Sequence, residues 1–161
     1  MGRATSGVIG MRFRDDDALL AMDVVQPDTF VVTITDGGYA KRTAIGEWSP
    51  KGRGILGVRA MKLVEERGSL VGALVCQESD QIFAIASNGV VIRTKVSDVR
   101  PSGRDTMGVT LMNLAEGDAV VAVARAQETD DEADESGEES GAEAEVLAGE
   151  GAIAEVPEAG E

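Results

Sequence analysis

Short apolar runs alternate with turn residues along the first 125 positions. They occupy residues 8–13, 19–25, 29–35 and 39–45, then 58–64, 70–76, 81–87 and 90–96, and finally 109–114 and 119–125. Val, Ile and Thr dominate them, the types that suit a pleated, half-buried surface. Between the runs stand Asp15-Asp16-Asp17, Gln26-Pro27-Asp28, Asp36-Gly37-Gly38, Glu66-Arg67-Gly68, Asn88-Gly89 and Glu116-Gly117-Asp118. Gly-Gly and Asn-Gly readily take the positive φ of tight hairpin turns, so the pattern predicts short antiparallel strands.

The same order of strands and turns recurs. Gly2-Arg3-Ala4-Thr5-Ser6-Gly7-Val8, Gly52-Arg53-Gly54-Ile55-Leu56-Gly57-Val58 and Gly103-Arg104-Asp105-Thr106-Met107-Gly108-Val109 are copies of one motif. They are spaced by 50 and 51 residues, and Met11, Met61 and Met112 follow each at the same offset. Asp36-Gly37-Gly38-Tyr39-Ala40-Lys41-Arg42-Thr43 aligns likewise with Ser87-Asn88-Gly89-Val90-Val91-Ile92-Arg93-Thr94. A strand-built repeat of this length is the signature of a blade array. The expected fold is all-β: β-propeller or β-pinwheel blades of four antiparallel strands, two full (2–51 and 52–102) and part of a third (103–125). Such an array leaves strand edges uncovered, which proteins normally close or cover. The sequence is therefore expected to be the C-terminal piece of a longer protein, with further blades before Met1.

Charge divides the chain in two. All 15 Lys and Arg lie at or before Arg125, together with 15 of the 29 acids, so residues 1–125 are formally neutral. Residues 126–161 hold the other 14 acids and no base, and the net charge of −14 belongs to them. That stretch has no aromatic residue and few branched apolar ones, and is expected to be a disordered acidic tail. At 36 residues it would reach about 30–36 Å, enough to compete with an anionic ligand for basic sites on the body; solubilisation is the plainer role. The acidic average thus does not argue against a polyanionic partner.

Several classes of chemistry have little support. There is no His, and Cys76 is the only cysteine, set in the apolar run 70–76. Disulfides and cysteine-based metal sites are excluded, a reducing cytoplasm fits, and Cys76 reads as a small buried hydrophobe. No apolar run approaches membrane-spanning length. Asp15, Asp16 and Asp17 lack the spacing of a calcium loop. The Gly52-Arg53-Gly54 stretch has neither the helix nor the Lys-Ser/Thr pair of a phosphate loop. Tyr39 reads as a packed strand residue. Catalytic and metal-ligating residues are both expected to be none.

Recurrent cations remain as the candidate chemistry. Arg3, Arg53 and Arg104 follow the first glycine of each motif, in the expected connection between blades. Arg42 and Arg93 recur in the fourth strand, and alternation places them, with Lys95, on the face away from the apolar positions. Lys41 aligns with Ile92 and is less committed. Side by side, these residues make a discontinuous basic track that suits a phosphate backbone. The other reading is that they solvate the rim or pair with Asp36, Asp98 and Asp105, as in a protein-interaction propeller.

Taken together, residues 36–43, 68–75, 91–94 and 103–109 resemble the C-terminal DNA-wrapping domain of DNA gyrase A, actinobacterial forms above all, over essentially residues 2–128. The resemblance implies a six-bladed β-pinwheel whose basic perimeter bends duplex DNA, serving ATP-dependent negative supercoiling by a type IIA topoisomerase of the isomerase class. DNA-binding roles would fall on Arg3, Arg42, Lys51, Arg53, Arg59, Arg93, Lys95 and Arg104. Partners would be double-stranded DNA, gyrase B and the N-terminal part of gyrase A in an A2B2 complex, in the cytoplasm at the nucleoid. ATP and Mg would act elsewhere in that enzyme, and this chain would hold no cofactor. The family's wrapping box, roughly Gln-Arg-Arg-Gly-Gly-Lys-Gly, corresponds here to Lys51-Gly52-Arg53-Gly54-Ile55-Leu56-Gly57, where Ile55-Leu56 replaces Gly-Lys. The C-terminal domain of topoisomerase IV is the nearest alternative.

Overall fold

Two hairpins organise the chain. The computed structural model describes residues 2–126, and the expected acidic tail from residue 127 onward lies outside the described residues. Strands β1 (Phe30–Thr35) and β2 (Tyr39–Ala44) pair antiparallel, with Val32 opposite Arg42 and Ile34 opposite Ala40. Their turn is Asp36-Gly37-Gly38, where Gly38 takes φ +82° and donates its N–H to Thr35 O. Strand β3 (Leu70–Cys76) lines the other edge of β1. Strands β4 (Gln81–Ala86) and β5 (Val91–Lys95) form the second hairpin around Asn88-Gly89. Strands β6 (Val109–Thr110) and β7 (Val120–Ala126) complete the set.

The strands form two antiparallel sheets, ordered β3-β1-β2-β6 and β5-β4-β7. Neither sheet is built from one sequence repeat. The third and fourth strands of a repeat pair as a hairpin, then take the second strand of the next repeat and the first strand of the one after. Thus β1 and β2 come from repeat one, β3 from repeat two and β6 from repeat three. The β4–β5 pair takes β7 of repeat three in the same way.

This exchange explains which expected strands do not form. Runs 8–13, 19–25 and 58–64 carry no strand beyond an isolated bridge between Met11 and Ile55. By the observed rule none of the described strands is placed to pair with them. An extended segment without a partner leaves its backbone groups to water and its apolar side chains uncovered. Met22 is 89% exposed, and Leu19, Val24 and Val25 are also exposed. The repeated methionines show the same gradient: Met61 and Met112 are buried and Met11 is exposed.

One core joins the two sheets. Val32, Ile34, Ala40 and Cys76 of the first pack with Ile82, Ala84 and Ala86 of the second, and with Val96, Val99, Met112 and Val120. Fully burying a side chain such as Ile34 or Ile82 contributes about 1.5–3 kcal/mol. Cys76 is buried as expected, which pushes its thiol up to about 11. Gly72 sets the approach of β3 to β7: a Cβ there would collide with Val123 Cγ2.

Candidate nucleic-acid interface

All three Gly-Arg loops share one backbone device. Their second glycines, Gly7, Gly57 and Gly108, have φ of +80°, +80° and +77°, a region that L side chains adopt at a cost. At Gly108 a Cβ would also stand 2.6 Å from Ala40 O, the residue that pairs with Val109. The fourth position separates the loops. Thr5 Oγ1 donates to Gly2 O at 2.8 Å and Thr106 Oγ1 to Gly103 O at 2.9 Å. Ile55 has no hydroxyl; its carbonyl instead accepts from Arg12 N, while Arg12 Nε donates to Gly54 O.

The third loop is the most fully supported. Lys41, on β2, is wholly buried and donates from Nζ to Gly103 O at 2.7 Å and Arg104 O at 2.5 Å, with Thr106 Oγ1 at 3.5 Å. Thr43 Oγ1 donates to Ser102 O at 3.0 Å, and Ser102 N donates to Arg42 O at 2.9 Å. On the opposite side Lys62 N donates to Thr106 O, and Arg59 pairs with Asp105 at 3.1 Å. Burial pushes the Lys41 ammonium below its ordinary range, opposed by Asp105 and reinforced by Arg104. Arg104 is half-buried, with its guanidinium 5.8 Å from the centre of the Trp48 ring.

The fourth-strand arginines do not share an environment. Arg42 was expected on the outer face, but the structure buries it. Its Nε donates to Val99 O at 2.7 Å and its Nη2 to Ser97 O at 3.4 Å. Nη1 lies 2.8 Å from Glu78 Oε1, an ion pair without the angles of a directed hydrogen bond, and the guanidinium stacks over Phe30 at 4.6 Å. The cause is the chain from Val96 to Pro101, which folds across β2 and bridges to Arg42. Arg93, its counterpart one repeat on, is exposed and lies 5.7 Å from the Phe83 ring.

Of the other candidates, Arg3, Lys51, Arg53, Arg59 and Lys95 are exposed. Arg53 and Lys51 lie in or beside the second loop and Lys95 ends β5; Arg59 alone among these five is ion-paired within the described residues. Sequence reasoning missed Arg67 and Arg100. They flank an open cavity of about 440 Å³ that is also lined by Ser102, Thr106 and Gly108. Arg67 donates to Gly108 O at 2.9 Å and lies over Tyr39 at 4.5 Å. Neither recurs at the same place in another repeat, so the periodic signal could not find them. Asp36, a suspected arginine partner, instead accepts from Ser69 N.

Among the described residues no cluster of three or more His, Cys, Asp or Glu could hold a metal, and no helix is long and apolar enough to cross a membrane. The strand exchange and the inter-sheet core define a β-pinwheel array. A family model described as the DNA gyrase C-terminal domain, beta-propeller, matches residues 1–26, 29–77 and 80–127. The chain belongs to that family. DNA gyrase A of Streptomyces coelicolor is 62% identical over 133 residues, which are 83% of this chain and 16% of that protein. The Mycolicibacterium smegmatis protein is 54% identical over 133 residues, with the same two shares. The chain thus spans about a sixth of the length of these relatives. A solved structure of the DNA gyrase A C-terminal domain superposes with a TM-score of 0.70 at 27% identity, covering 78% of this chain and 43% of that one. The C-terminal domain of DNA topoisomerase IV superposes at 0.68 with 24% identity, covering 73% and 37%, which is a likeness of fold alone.

Proposed function

We propose that this chain is a non-catalytic DNA-binding and DNA-wrapping module of a gyrase-type type IIA topoisomerase. The observation that carries the reading is the recurrence of an arginine-bearing loop at each junction of repeats, in a chain of the gyrase C-terminal family. Spaced cations of this kind neutralise phosphates without reading bases. Wrapping has a cost: bending a 20–30 base-pair site by 40–90° requires on the order of 1–6 kcal/mol, which a series of phosphate contacts offsets.

Within the whole enzyme, which we take to be an A2B2 complex with gyrase B, the module would hold duplex DNA beside the cleavage core while ATP and Mg act in other parts. Its place would be the cytoplasm, on the nucleoid. The topoisomerase IV alternative has only the fold likeness behind it.

Binding of a duplex of about 40 base pairs across a salt series tests the reading. Each phosphate contact contributes about 0.9 to the slope of log K against log salt. Arg53→Ala should weaken binding and flatten the slope by about that amount. Salt-insensitive binding, or equal affinity of the variant and the parent chain, would overturn the assignment of the second loop.

A further inference from the structure

Lys41 is the anomaly that the basic track leaves unexplained: a fully buried lysine on the strand that neighbours the third loop. An ammonium carries three N–H donors. Here they meet the Gly103 and Arg104 carbonyls and the Thr106 hydroxyl, three acceptors within one turn of a loop 62 to 65 residues away. Being buried, Lys41 does not itself reach a phosphate. What it touches is the backbone of a loop arginine, Arg104, which is half-buried beside Trp48.

The repeat supplies a second, independent observation. The strand exchange places the fourth strand of one repeat beside the first strand, and hence the Gly-Arg loop, of the repeat two further on. A lysine on that strand therefore serves a loop two repeats away. Fifty-one residues after Lys41 the chain carries Ile92, so the ammonium does not recur at the same place in the second repeat. The second loop has no such ammonium among the described residues and rests instead on Arg12.

We infer that Lys41 is a positioning residue for the nucleic-acid interface: it fixes the Gly103–Thr106 turn and so sets Arg104 against Trp48, in the place where Arg104 meets a phosphate. The last step rests on the DNA-binding reading above. The positioning itself does not.

Trp48 is the only tryptophan of the chain, so its fluorescence reports on the loop without DNA. In the full chain, Lys41→Met should red-shift Trp48 emission and raise its quenching by acrylamide, while the far-ultraviolet β signal is retained. Thr106→Val, an exposed substitution that leaves the sheets alone, should move Trp48 in the same direction. On duplex DNA, Lys41→Met should weaken binding as much as Arg104→Ala does, each flattening the salt slope by about 0.9, and the double variant should be no weaker than either single one. Unchanged Trp48 quenching in both Lys41→Met and Thr106→Val overturns the positioning role, as do additive losses in the double variant. If Arg104→Ala binds DNA as the parent does, the phosphate role of Arg104 fails; the Trp48 readout still decides whether Lys41 sets the loop.

Discussion

Arg42 and Arg93 occupy the same place in successive repeats, yet their substitution should fail in opposite ways. Arg42→Met keeps most of the aliphatic stem and removes the guanidinium. The bond lost at 2.7 Å to Val99 O is short and charge-assisted, a class worth about 1.5–3 kcal/mol. The 3.4 Å contact to Ser97 O adds little. Glu78 is 61% exposed, so its ion pair contributes about 0–1 kcal/mol, and stacking on Phe30 about 0.5–2. Relief from burying a charge offsets part of the loss. A net destabilisation of about 2–4 kcal/mol follows, concentrated at an orphaned Val99 carbonyl. For an ordered body of this size that lowers Tm by about 10 °C. Calorimetry on the full chain reads it directly. Below the transition, DNA affinity and salt slope should match the parent. Arg93→Met should do the reverse, with Tm held within about 2 °C and the slope reduced by about 0.9. An Arg42→Met chain with the parent's Tm and a flattened slope would refute the burial argument and return Arg42 to the rim.

Other expectations follow from close packing and from titration. Gly72→Val drives side-chain atoms into Val123 and should loosen β3 from β7, costing about 1–3 kcal/mol; a parent-like urea midpoint would contradict that contact. Cys76, buried with its thiol near 11, should resist disulfide reagents at pH 8 in the native chain and react at once in urea. Asp23 accepts from Val75 N and Val24 N, which holds its carboxyl below the usual range. A depressed folded-state value means that its stabilisation is present above the ordinary carboxylate range and lost as pH falls through the folded value. Asp23→Asn should therefore flatten the acid limb of the stability curve in urea titrations, and an unchanged limb would exclude it.

The turns and hairpins were legible because they are local. Asp36-Gly37-Gly38 and Asn88-Gly89 fix a loop length, and alternation through β4 fixes which face is buried. Partner choice is not local, so strand alternation could not say that β1 takes β3 and β2 takes β6 from later repeats. The same gap misplaced Arg42. Lys41, Arg42 and Thr43 are all buried in succession, because chain from the later repeats covers the face that alternation assigns to solvent. Such a run of buried polar groups is invisible to any pattern that equates polar with exposed. Of the loop arginines, which recur with the motif, Arg3 and Arg53 stand in solvent and Arg104 is half-buried.

In arrays whose repeats touch only adjacent neighbours, stability is close to a sum over units and interfaces, and a unit can be added or removed at modest penalty. Here a fourth strand is hydrogen-bonded two repeats ahead, so each repeat is sewn into the sheets of others. Deleting one 50-residue unit would not shorten the row by a bead; it would open seams in more than one sheet and re-register the rest. Evolution can therefore vary the rim of such a protein residue by residue far more readily than it can change the number of its blades.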